Sequence, residues 1–162
     1  MHLGQLACSG VGLVIIEATG VEAAGRISPG CLGLYDDRCE SALSMALSHC
    51  RQHSSAALGI QLAHAGRKAS TKPPWGDDAG GAIPPSEPSG WEVVAPDTEP
   101  NWRPNSATPT ALDEPGMERI IACWVDATER ANRVGLDLIE IHCAHGCTRA
   151  PKPQCRLHCH SL

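Results

Sequence analysis

Three short apolar runs, each closing on polar residues or glycine, set the pattern of the chain. Residues 12–18, from Gly12 through Leu13, Val14, Ile15 and Ile16 to Glu17 and Ala18, are continuous and branched, as in a strand covered on both faces. Residues 58–62 predict a second strand, and residues 136–142 a third. Between the first two, Cys39, Leu43, Ala46, Leu47 and Cys50 recur at the spacing of one helix face, which predicts a helix over 37–52. Ahead of the third, Asp113 suits an N-cap and Pro115 a first turn. Met117, Ile120, Ile121, Trp124, Val125, Thr128 and Ala131 then keep helical spacing up to a closing Gly135. Strand, helix, strand, helix, strand predicts an α/β fold with right-handed parallel crossovers.

Alternation along the strands separates two kinds of face. Gly59 and Gln61 share one, Ile60 and Leu62 the other. Leu138, Glu140 and His142 share one face of the third strand, Ile139 and Ile141 the other. The wholly apolar faces are expected to pack on helices, and the mixed faces to point toward a barrel interior and its mouth. From about Gly66 to Thr110 this pattern is lost in a stretch dense in proline and glycine. Such a segment reads either as a lid or binding loop or as a disordered linker. Trp75, Trp91 and Trp102 weigh against the linker.

Bulk properties narrow the function classes. A length of 162 residues is sufficient for one core of ordinary size. Net charge is −5 without a basic block, which argues against nucleic acid or an anionic membrane as partner. The longest uncharged apolar run ends at Glu17, far short of the roughly 20 residues of a membrane span. No basic segment followed by a cleavage site marks a secretory signal. Nine cysteines, odd in number and irregularly spaced, read as reduced thiols in a cytoplasmic protein.

The chemistry concentrates at strand ends. Leu138–Gly146 and Gln61–Lys68 each pass abruptly from apolar residues to imidazole, amide and glycine. A parallel sheet builds its site from such strand ends, here for a flat ligand with polar edges. A second class is a small zinc module drawn from Cys143, His145, Cys147, Cys155, His158, Cys159 and His160, although the spacing is loose and contains no Cys-x-x-Cys pair.

Four blocks, in this order and at these separations, resemble the Old Yellow Enzyme family in its bacterial-type NADPH dehydrogenase branch. They are residues 12–19, residues 25–28, residues 59–69 with His64-Ala-Gly-Arg-Lys-Ala69, and residues 139–146 with His142-Cys-Ala-His145-Gly146. The resemblance implies a partial TIM (β/α)8 barrel, about its second to fourth strands with their helices and a long capping loop. It covers residues 1–146 and leaves 147–162 as an atypical tail expected to be disordered, from a shifted reading frame or an altered splice junction. A whole barrel takes roughly 250 residues.

The resemblance further implies FMN as cofactor, NADPH or NADH as hydride donor and an electron-poor alkene, such as an α,β-unsaturated carbonyl, as substrate. It implies no catalytic metal, and a possible homo-oligomer for the whole protein. By the same match, Ala18 and Gln61 touch the flavin, and His142 and His145 hold the substrate carbonyl. Cys147 stands where the family has a tyrosine, which removes the expected phenol at that position. Three of eight strands would leave open edges and an uncovered interior face. The expectation for this chain alone is therefore a fragment without activity that binds flavin poorly.

Overall fold

The computed structural model describes residues 2–76, 78–101 and 105–144. A short helix α1 (His2–Ala7), unforeseen from the sequence, precedes strand β1 (Leu13–Gly20). Helix α2 (Asp37–His53) leads to β2 (Ala57–Ala63). Two-residue strands β3 (Val94–Ala95) and β4 (Thr110–Ala111) pair parallel to each other. Helix α3 (Glu114–Arg133) then leads into β5 (Leu138–Ile141). The main sheet has the order β1-β2-β5 and is parallel throughout.

The ends of the helices follow local chemistry. The Asp36 carboxylate accepts from the Cys39 amide at 2.7 Å, and that of Asp113 from the Gly116 amide at 2.8 Å. Past α3 the chain turns at Gly135, whose φ of 76° favours glycine. The Asp137 carboxylate then accepts from the Leu58 amide at 2.8 Å, while the Asp137 amide donates to the Leu58 carbonyl, also at 2.8 Å. This clamp starts β5 in register with β2. Arg130 and Arg133 of α3 grip Glu40 of α2, at 2.6 Å from Arg130 and 2.8 Å from Arg133.

The helices cover one face of the sheet. Val14, Ile16, Leu58, Ile60 and Leu62 form one core with Leu47 and Cys50 of α2 and with Ala127 and Ala131 of α3. Alternation places the apolar side of each strand as the sequence pattern predicts, with Ile139 also packed against this core. Two expectations are corrected. The strand over 12–18 is covered on one face only: Leu13 and Ile15 are about 40 % exposed, because no described element packs on their side. Of the apolar positions on α3, Met117, Ile121 and Val125 also remain exposed, as does Ile141. Ile120 is buried and Trp124 partly so.

The proline-rich stretch is neither a bare lid nor a linker among its described residues. Ala69, Ser70, Ile83, Val93 and Ala95 are buried. The Ser70 hydroxyl donates to the Ile83 carbonyl at 2.7 Å and accepts from the Trp91 amide at 3.0 Å. Arg67 is buried and forks onto Asp97 while donating to the Glu99 carbonyl at 2.6 Å. Charge-assisted, two-pronged bonds of this kind hold a loop whose backbone forms little sheet. The tail over 147–162 lies outside the described residues.

Candidate functional site at the strand ends

All three strands of the main sheet point their C-terminal ends the same way, and the loops that follow β1 and β2 lock together there. The Val21 amide donates to the Ala63 carbonyl, Ala65 to Gly25, and Thr71 to Ile27. Between these loops His64 is buried. Its Nδ1 accepts from the Gly66 amide at 3.0 Å, so the ring proton sits on Nε2 and is donated to Glu22 at 2.7 Å. A Cβ at position 25 would lie 2.9 Å from the ring, so only glycine admits the imidazole there. The bond from His64 holds the Glu22 carboxyl below its ordinary range against the opposing effect of burial, with help from Arg119. His64 and Arg67 thus build the loop.

The uncovered face of the sheet carries the other polar groups. β1 pairs with β2 from Leu13 opposite Ala57 to Ile16 opposite Ile60, then shifts so that Thr19 stands opposite Leu62. Glu17 and Ala18 therefore oppose the single residue Gln61, which is a β-bulge. Uninterrupted alternation would turn Ala18 toward the helices. Thr19 is buried and pairs with Leu62 of the helix-side core, so the two-for-one bulge places Ala18 on the side of Gln61. Gln61 lies on that face directly opposite Glu140 of β5, and its Nε2 donates to the Glu140 carboxylate at 2.6 Å. His142 follows two residues later on the same face, its amide donating to the Leu62 carbonyl at 2.9 Å. Ala18, Gln61 and His142 are thus brought to one face at one end of the sheet, while His145 lies outside the described residues.

An open face with apolar Leu13 and Ile15, and with an amide, a carboxylate and an imidazole at the strand ends, suits a flat ring system with a hydrogen-bonding edge. Burial pushes the Cys39 and Cys123 thiols above their ordinary range, which disfavours the thiolate at those two positions. Among the described residues no group of three or more His, Cys, Asp or Glu side chains is placed to hold a metal. Cys143 is exposed, and the other residues of the expected zinc cluster lie outside the described residues. A shallow cavity of about 440 Å³ lies beside Arg26 and Trp91, but that guanidinium donates to the Ala23 and Pro29 carbonyls and stacks 5.0 Å from the indole.

The family model described as NADH:flavin oxidoreductase / NADH oxidase matches residues 2–147. The chain belongs to this family of flavin oxidoreductases. FMN is the family's cofactor and a nicotinamide nucleotide its hydride donor. Two relatives are the NADPH dehydrogenases of Geobacillus thermodenitrificans and Listeria monocytogenes. The first is 38 % identical over 146 residues and the second 39 % over 145. Each match takes in 90 % of this chain but 37 % of the relative, so the chain spans little more than a third of their length. Morphinone reductase matches in structure with a TM-score of 0.70 at 24 % identity, over 90 % of this chain and 40 % of that one. An old yellow enzyme homologue from Zymomonas mobilis matches with a TM-score of 0.68 at 24 % identity, over 90 % and 38 %. At these identities the structural matches show a shared α/β fold with a parallel sheet. No helix among the described residues of this flavin oxidoreductase segment is long and apolar enough to cross a membrane.

Proposed function

We propose that the chain supplies the second to fourth strands of an FMN-dependent NAD(P)H oxidoreductase barrel, one that reduces electron-poor alkenes such as α,β-unsaturated carbonyl compounds. The observation that carries this reading is the shared open face of Ala18, Gln61 and His142 at the strand ends. The donor set fits a flavin: the small Ala18 leaves room for a ring, and an amide both donates and accepts toward a pyrimidine edge. Bound FMN supplies hydride transfer, from NAD(P)H to the alkene β-carbon. His142, with His145, donates hydrogen bonds to the substrate carbonyl oxygen and stabilises the negative charge that grows there. Cytoplasmic location and self-association of the whole protein belong to the same reading. So does the division into a barrel segment over 1–146 and a tail over 147–162.

With one face of its sheet uncovered, the chain alone binds FMN weakly and turns nothing over. Completing the barrel tests the proposal. Residues 2–144 replace the matching stretch of the Geobacillus thermodenitrificans enzyme, and folding is checked by circular dichroism. The chimera is expected to bind FMN and to oxidise NADPH when 2-cyclohexenone is added. Gln61→Leu should weaken FMN binding, and His142→Ala should raise KM for the enone. A folded chimera without FMN binding would refute the reading, and so would tight stoichiometric FMN quenching by the 162-residue chain alone.

A further inference from the structure

We propose that Glu140 is a positioning residue that sets which way round the Gln61 amide faces. The inference rests on the flavin reading for the identity of the ligand, but its geometric half stands without it. Gln61 and Glu140 are directly opposed in the parallel ladder, and Nε2 of Gln61 lies 2.6 Å from Oε1 of Glu140. A primary amide has two ends of nearly equal shape, and a half-buried one with no partner samples both orientations. An ionised carboxylate only accepts hydrogen bonds, so it draws the NH2 end and turns the carbonyl end away. One Nε2 proton is taken up in this way. The second proton and Oε1 are then left as an adjacent donor and acceptor. That pair complements a neighbouring C=O and N–H in a ligand, as on the edge of a cyclic imide. A flipped amide would present its donor and acceptor in the wrong order.

The neighbours leave Glu140 well suited to this task. Leu138, two residues earlier on the same face, is apolar, and the residue opposite it is Gly59. The charged partners Arg51, Arg119, Arg130 and Arg133 are engaged elsewhere, with Asp137, Glu22 and Glu40.

Two variants separate hydrogen bonding from packing. Glu140→Gln keeps the shape but can meet Gln61 with either end of its own amide, while Glu140→Met keeps the bulk and makes no hydrogen bond. In the 15N-labelled 162-residue chain, the two side-chain amide protons of Gln61 are expected to be separated by more than those of a free glutamine amide in the wild type, because only one of them is bonded to the carboxylate. The separation should narrow in E140Q and return to that of a free glutamine amide in E140M. In the barrel chimera, FMN affinity measured by fluorescence should fall roughly 5-fold in E140M, the loss of about one hydrogen bond's orienting effect, and about 2-fold in E140Q, where either end of the Gln61 amide can face residue 140. Unchanged Gln61 amide signals in E140M would overturn the proposal. An E140M chimera that binds FMN as the wild-type chimera does would overturn it equally. If the amide signals respond but the wild-type chimera binds no FMN, the flavin reading fails while Glu140 keeps its orienting role.

Discussion

Replacing His64 with alanine tests how the loops at the strand ends are held. The imidazole is buried and spans two loops that are far apart in the chain, through its bonds to Glu22 and to the Gly66 amide. Alanine leaves the Gly66 N–H without its acceptor, at about 1–3 kcal/mol for a buried orphaned donor. The lost ring volume opposite Gly25 adds a further ~1–2 kcal/mol as a cavity. The sum is about 3 kcal/mol, which corresponds to a fall in Tm of roughly 6–12 °C for a chain of this size. Thermal denaturation by circular dichroism at neutral pH measures it. The acid limb offers a second check. The Glu22 carboxyl is held low in the folded chain, chiefly by His64. Its contribution to stability is therefore present above the unfolded carboxyl value of about 4.3 and is lost as pH falls through the lower folded one. His64→Ala should flatten this loss between about pH 5 and pH 3, where the wild type weakens. A Tm within 2 °C of wild type, or an unchanged acid limb, would show that the His64 bridge does not hold the loops.

Other outcomes follow from the same geometry. Asp113→Ala removes the cap on the Gly116 amide and should cost about 1 kcal/mol in urea denaturation. Arg67→Lys keeps the charge but loses the fork onto Asp97, so limited proteolysis should cut faster around residues 97–99 with little change in helical signal. Ile15→Lys adds charge to the uncovered sheet face; size-exclusion chromatography should show less self-association, with stability within about 0.5 kcal/mol of wild type.

How much of this could be read from the chain depends on the range of the interactions involved. Helix α2 and the N-cap of α3 were legible, because capping and helical spacing are local. The inward side of β2 followed from alternation alone, and that of β5 did so at Ile139 but not at Ile141. Helix α1 carries little local signal and gains its place by packing Ala7 into the core. The proline-rich stretch read as a loop because its order comes from Arg67, Ser70 and buried side chains rather than from periodic structure.

The sequence by itself determined the order of the strands and helices and, through four matching blocks, the family. It did not determine the bulge at Glu17 and Ala18, which contains no glycine and arises where β1 changes register against β2. Nor did it determine that His64 would be buried against Glu22, or that Gln61 would meet Glu140. The two residues of each pair lie 42 and 79 positions apart. Only strand register and loop docking decide such contacts, because no local propensity carries information about which residue stands opposite.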